Sequence, residues 1–376
     1  MIDFSLPKVT NQEIQAVTEV LRSKWLTTGY KTQAFAQAIN SYVGSKYCVC
    51  LSSCTAALHV ALVCAGVKEG DEVITTPMTF VSTINTILYL KATPVFVDIK
   101  PNDFILNEAL IESKITKKTK AIDAVHYGGF SANLQVLRKL CKRYSLELIE
   151  DAAHAFGTKH QDEFIGENSK FCCFSFYPTK NITTIEGGAL VTNNEEVYKR
   201  ASSLGLHGIS KDSWKRYSKD GSWRYDVAEI GFKYNMTDVE AAVGIAQLQN
   251  ITQMQVHREK LYTLYKENLS QIPEVSLLEG NTYSKPFRHL FVIKINSPKV
   301  TRDEFIEKMK QENIVCSVHF IPVYKFTAYK NLFDYKEKDF PEAERAFSSC
   351  VSLPFGSDLS LKDAKKVIDA IKKILR

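Results

Sequence analysis

One stretch carries residues suited to covalent chemistry: Phe171-Cys-Cys-Phe-Ser-Phe-Tyr-Pro-Thr-Lys180-Asn-Ile-Thr-Thr-Ile-Glu-Gly-Gly188. Its apolar start, Phe171 to Phe176, reads as a strand. A proline-broken loop then presents Lys180, and Gly187-Gly188 leads into a second strand, Ala189 to Thr192. Upstream, Leu146-Glu-Leu-Ile-Glu-Asp151-Ala-Ala-His154 is another strand, ending in an acid and an imidazole. A lysine and an aspartate at neighbouring strand ends can hold a pyridoxal cofactor, the amine as a Schiff base and the carboxylate on the ring nitrogen. A lone loop lysine, by contrast, is ordinarily a solvated charge.

The elements around these residues alternate. Predicted strands are Lys46–Leu51, Glu72–Thr75, Pro94–Asp98, Lys120–His126 and Leu146–Glu150. Between them fall predicted helices Ala56–Ala65, Phe80–Leu90, Asn107–Ile115 and Asn133–Tyr144. Strands joined by helical crossovers imply an α/β fold with a mostly parallel sheet between helices. Ligands of such sheets gather at the carboxyl ends of the strands, where Ser52–Ala56, Asp151–His154 and Ser175–Lys180 all fall. The Ser/Thr-rich turn Ser52-Ser-Cys-Thr55 before a helix is an anion seat or a simple N-cap. No GxGxxG follows the first strand, which argues against a nicotinamide enzyme.

Two helices, Asn11–Arg22 with Thr10 as cap and Gln33–Tyr42, precede this unit, and Glu195–Leu204 follows it. Lys211 to Tyr225, with Trp214, Tyr217 and Trp223, reads as a long functional loop. Helices Val239–Gln249 and Gln255–Ser270 lead to a smaller α+β domain, with strands Leu290–Ile295 and Val315–Pro322 and helices Thr301–Gln311 and Leu361–Leu375. The expected domains are 1–250, large, and 251–376, small.

Composition narrows the class. The chain has 376 residues, 45% apolar and 24% charged, the balance of an ordinary globular protein. Its net charge of +6 comes from dispersed lysines without aromatic interleaving, so no nucleic-acid partner is expected. Nine cysteines contain no CxxC pair or zinc-spaced cluster and read as buried apolar residues in a reducing compartment. The N-terminus has no signal-peptide pattern. The longest apolar run, about Cys54 to Val67, is shorter than the roughly 20 residues a bilayer requires. A cytoplasmic protein without membrane contact is expected.

In order along the chain stand Ser52-Ser-Cys-Thr-Ala-Ala-Leu-His59, Asp71-Glu-Val-Ile-Thr-Thr-Pro77, Thr93-Pro-Val-Phe-Val-Asp98, Glu150-Asp-Ala-Ala-His-Ala155, Phe174-Ser-Phe-Tyr-Pro-Thr-Lys-Asn181, Glu186-Gly-Gly188, Tyr234-Asn-Met-Thr-Asp238 and Val318-His-Phe-Ile-Pro322. Together they resemble the DegT/StrS family of nucleotide-sugar aminotransferases, pyridoxal-phosphate enzymes of the aspartate-aminotransferase superfamily (fold type I). The sequence is most similar to the branch acting on UDP-linked 4-keto sugars. The resemblance implies that Lys180 is the Schiff-base lysine and Asp151 the partner of the pyridine nitrogen. His154 would lie on one face of the ring and Phe80 near the other side. Thr55, Ala56 and Ser175 would hold the phosphate. Asn235 would reach the neighbouring subunit's site in a homodimer with shared active sites. Glu186, His207, Arg224 and His319 are candidates for contacts to sugar, nucleotide or amino donor, or simply satisfy local hydrogen bonds.

By the same resemblance L-glutamate donates the amino group and a nucleotide-linked 4-keto sugar accepts it, for amino-sugar biosynthesis of bacterial surface glycans. A minority of the family carries histidine at the lysine position and dehydrates its substrate; Lys180 argues against that here. Two alternatives stand beside this reading. One is a pyridoxal enzyme on free amino or keto acids, the other a non-catalytic regulatory protein on the same fold.

Overall fold

The computed structural model describes residues 1–209 and 225–375. The chain opens with helices α1 (Asn11–Ser23) and α2 (Tyr30–Val43). There follow β1 (Tyr47–Leu51), α3 (Cys54–Cys64), β2 (Glu72–Thr75), α4 (Val81–Tyr89), β3 (Thr93–Phe96) and β4 (Thr119–Val125). Next come α5 (Leu134–Tyr144), β5 (Glu147–Asp151), the short β6 (Lys159–His160) and β7 (Glu163–Phe164), β8 (Cys172–Ser175), β9 (Gly188–Thr192) and α6 (Glu195–Leu204). The remainder is α7 (Asp238–Gln249), α8 (Ile251–Leu269), β10 (Val275–Leu277), β11 (Ser284–Lys285), β12 (Phe291–Ile295), α9 (Arg302–Gln311), α10 (Thr327–Lys330), α11 (Pro341–Ser349), β13 (Cys350–Leu353) and α12 (Leu361–Leu375).

Seven strands form the main sheet in the order β1-β9-β8-β5-β4-β2-β3. The pairs β2/β3, β2/β4, β4/β5 and β5/β8 are parallel, whereas β9 is antiparallel to both β1 and β8. The sheet is thus mostly parallel, as the alternation of strands and helices predicts. The inner strands β4, β8 and β9 are buried along almost their whole length because helices cover both faces. On one face α3 packs its alanine- and leucine-rich surface against Ile149, Cys173 and Leu190. On the other, Phe35 and Ile39 of α2 meet Phe174, Phe176 and Ala241.

A three-stranded sheet, β10-β12-β13, is covered by α8, α9 and α12 over a separate apolar cluster that includes Tyr265, Ile293, Phe305 and Ile371. Thr10, Thr237 and Thr301 close capping boxes with Glu13, Glu240 and Glu304, which fixes where α1, α7 and α9 begin. Asn250 closes α7 and opens α8. All nine cysteines are free thiols.

Two expectations change. Asn107–Ile115 is not a helix but two 3-10 turns, Glu108–Leu110 and Glu112–Lys114. Only Ile111 of this stretch is fully buried, so one anchor holds a turn and nothing propagates it. Val315–Pro322 is not a strand: it makes one bridge, Ser317 to Ser352, before Pro322, which has no N–H for a ladder. The edge belongs to β13, which the sequence reading missed, as it missed α11 with Pro341 in its first turn. The expected loop Lys211–Tyr225 lies, apart from Tyr225, outside the described residues.

Candidate active site

The carboxyl ends of β5 and β8 and the start of α3 meet at a cavity of about 430 Å³ lined by both Lys180 and Asp151. Lys180 follows β8 on the loop that Pro178 breaks, and its N–H donates to the Tyr177 carbonyl at 2.9 Å. Burial lowers its ammonium pKa to about 8, against the opposing pull of Cys54 and Asp151.

Asp151 is the last residue of β5 and is buried. Thr83 Oγ1 donates to its Oδ2 at 2.8 Å, and the Ala153 N–H donates to its Oδ1 at 3.2 Å. Burial raises the Asp151 carboxyl above its ordinary value; these two donors and the charges of Lys180 and His126 pull it down. The helix that carries Thr83 also places Ser82 at the cavity, where Thr55 Oγ1 donates to Ser82 Oγ at 3.1 Å.

His154 is buried three residues past Asp151, and its Nδ1 accepts from the Gly128 N–H at 3.3 Å. Its ring stacks on Phe320 (centroids 5.7 Å apart, planes 22° apart) and tilts against His289 at 4.4 Å. Burial, then the charges of Lys180 and His319, push the His154 imidazole well below its ordinary value, so it is neutral. His319 is likewise lowered, to about 3, by burial and the Lys180 charge, while its Nδ1 lies 2.8 Å from Ser352 Oγ. Phe80, the N-cap of α4, stands exposed on the rim beside Phe320.

At the start of α3, Ser53 is the N-cap and accepts from the Ala56 N–H at 3.0 Å. Ala56 is therefore buried behind the seat rather than lining it. The amides ahead of it, of Cys54 and Thr55, have no hydrogen-bond partner among the described residues, and both residues line the cavity with Ser175. Gly188 explains how β9 approaches so closely. A Cβ there would lie 2.4 Å from the Cys54 nitrogen.

Glu186 and His319 line the cavity. His207 does not: it is exposed, and its N–H donates to the Phe232 carbonyl. Asn235 also lies off the cavity, its Nδ2 donating to Thr28 Oγ1 at 2.8 Å within the same chain. Arg224 lies outside the described residues. The sequence reading missed Thr83, Ser82, His289 and Phe4, which stacks on His319 at 5.3 Å. Only Ser82 and Thr83, hydroxyls in the first turn of a helix beginning at a strand end, carried a signal for such a role.

An amine, a buried carboxylate, a neutral flat imidazole and a hydroxyl-rich helix start therefore converge on one cavity. This donor set suits a ligand with an aldehyde, a ring nitrogen, a flat face and a phosphate, which describes pyridoxal phosphate. Among the described residues there is no group of three His, Cys, Asp or Glu side chains that could hold a metal. Nor is any helix there long and apolar enough to cross a membrane.

Residues 7–372 match the DegT/DnrJ/EryC1/StrS aminotransferase family, and the chain belongs to it. It is 42% identical over 378 residues to the spore coat polysaccharide biosynthesis protein SpsC of Bacillus subtilis, covering 100% of this chain and 97% of that one. Its structure is similar to the putative sugar aminotransferase Spr1654 from Streptococcus pneumoniae in its PMP form, with a TM-score of 0.92, 31% identity and coverage of 100% and 99%. Spr1654 is also solved in a PLP form. Helicobacter pylori PseC, an aminotransferase involved in the biosynthesis of pseudoaminic acid, matches with a TM-score of 0.92, 30% identity and coverage of 100% and 99%. The fold is that of the fold type I enzymes, and the cofactor is pyridoxal phosphate.

Proposed function

We propose that this aminotransferase acts on sugars, moving the amino group of L-glutamate to a nucleotide-linked 4-keto sugar that is destined for a surface glycan. The observation that carries the reading is the convergence of Lys180 and Asp151 on one cavity beside the start of α3. The names of SpsC and PseC support the glycan context.

Pyridoxal phosphate, when bound, supplies an aldehyde for the amine and a ring that takes up the electron pair of a broken C–H bond. Lys180 Nζ would be the covalent anchor, and as a free amine it would be placed to accept a proton from the carbon being deaminated and to donate one to the carbon being aminated. An amine lowered to about 8 by burial is neutral often enough near neutrality to accept that proton. Asp151, fixed by Thr83 and the Ala153 N–H, would hold the ring nitrogen with its carboxylate. His154, neutral and stacked on Phe320, would offer the ring a flat face without a competing charge, and Phe80, beside Phe320 on the rim, would lie near the ring's other side. The hydroxyls of Thr55 and Ser175 and the amides of Cys54 and Thr55 seat the phosphate. Glu186 and His319 contact the sugar or the donor. Two copies of the chain share their sites in a homodimer, with Asn235 facing the partner's site.

Supplying glutamate with a panel of nucleotide 4-keto sugars, and following amino-sugar formation by mass spectrometry, tests the substrate. Amino sugar and 2-oxoglutarate formed in equal amounts is the expected result. Turnover confined to free keto acids overturns it.

A further inference from the structure

Asp123 stands near the middle of β4 with 0% exposure, and among the described residues neither carboxyl oxygen has a hydrogen-bond partner. Interior strand positions of a parallel sheet ordinarily take aliphatic side chains, and a buried acid without partners calls for an explanation.

The strand register supplies one. β4 and β5 are parallel, with Val125 opposite Asp151 and Asp123 opposite Ile149. Residues two apart share a face, so Asp123 and Asp151 lie diagonally on the same side of the sheet, beneath the start of α3. Among the described residues, the thiols of Cys54 on α3 and Cys173 on β8 lie within electrostatic reach of both acids. Burial pushes both thiols well up, so neither brings a charge.

Two neighbouring buried carboxyls do not both ionise readily. Asp151 has two hydrogen-bond donors, with Lys180 and His126 nearby, while Asp123 has none. The charge therefore belongs to Asp151 and the proton to Asp123. Burial and the Asp151 charge hold the Asp123 carboxyl well above the ordinary range, in agreement with that placement.

We propose that Asp123 and Asp151 form an acid pair in which Asp123 keeps the proton. The pair then presents one negative charge to the cofactor's ring nitrogen at neutral pH and a second in alkaline solution. Asp123 is a positioning residue: it acts through the charge state beneath the ring and touches no substrate. The inference rests on Asp151 being the ring-nitrogen partner. Two consequences have defined signs. An acid that is neutral in the fold stabilises it fully at low pH and loses that contribution as pH rises through its folded pKa, a loss Asp123→Asn escapes. As Asp123 releases its proton to solvent, the pair grips a cationic ring more strongly, a gain Asp123→Asn lacks.

The test uses the full chain freed of cofactor, titrated with pyridoxal phosphate at about pH 6 and about pH 9, with thermal midpoints read at each pH. The unaltered protein and Asp123→Asn are expected to bind alike at the lower pH, with the variant roughly three- to tenfold weaker at the higher one, as befits one added charge at short range. The midpoint of the unaltered protein should fall relative to the variant as pH rises. An affinity ratio that stays constant across pH overturns the proposal, as does a midpoint difference that does not change with pH.

Asp151→Asn separates the two levels. If it binds weakly at every pH while the Asp123 ratio is flat, only the acid pair fails; if it binds like the unaltered protein, the ring-nitrogen reading itself fails. Should Asp123→Asn not fold, Asp123→Leu gives a second neutral replacement. Infrared spectroscopy of the unaltered protein at neutral pH must in any case show a protonated buried carboxyl, and its absence overturns the proposal.

Discussion

Thr83 Oγ1 donates to Asp151 Oδ2 at 2.8 Å, joining the first turn of α4 to the end of β5 across 68 positions of chain. Thr79 Oγ1 lies 2.8 Å from Thr83 Oγ1, so the carboxylate ends a line of buried hydroxyls that fixes its orientation. Asp151 is thus aimed by a neighbouring crossover helix as well as by its own strand.

Replacing Thr83 by valine keeps the shape and removes the donor. Hydrogen bonds to charged groups contribute about 1.5–3 kcal/mol, so cofactor affinity should fall roughly tenfold or more. Thr83→Ser should recover most of it. Fluorescence titration of the cofactor-free protein measures both, and equal affinity for valine and threonine would show that Asp151 is oriented without this bond.

The Lys180 amine gives a pH dependence of definite sign. Burial lowers its pKa from 10.5 to about 8, so between these values the folded chain holds fewer protons than the unfolded one. Stability therefore carries a cost below about 8 that is relieved as pH rises toward the unfolded value. Freed of cofactor, Lys180→Met should melt above the unaltered protein at neutral pH, with the gap narrowing as pH approaches 10.5. A gap that widens with pH would contradict the assignment. Thermal scans across that range settle it.

Gly188 separates β9 from the start of α3. An alanine there meets Cys54 N and Ser53 C at 2.4 Å, backbone atoms that cannot swing aside. Gly188→Ala should cost about 1–3 kcal/mol by overpacking and displace the first amides of α3. Chemical denaturation reads the first effect, and weakened competition by inorganic phosphate against pyridoxal phosphate reads the second.

The sheet and the positions of Lys180 and Asp151 were legible because each strand is a short apolar run closed by Pro, Gly or a polar residue, a pattern that local chemistry writes directly. Thr83 was not legible: a threonine in a helix's first turn looks the same whether it meets a carboxylate or only its own backbone. Val315–Pro322 misled because its β-branched residues suit a strand. Pairing requires a partner edge, however, and Ser352 of β13 meets only Ser317. Conversely, Cys350–Leu353 has little pattern of its own and becomes a strand by docking on β12. Asp123 lay unremarked within a predicted strand, since nothing local announces that an acid will lie behind another acid.

Borohydride reduction of the protein carrying its cofactor, followed by peptide mass spectrometry, shows whether Lys180 is the covalent anchor. The pyridoxyl group is expected on the peptide containing Lys180, and none in Lys180→Ala. A label on another lysine, or none on the unaltered protein, would contradict it.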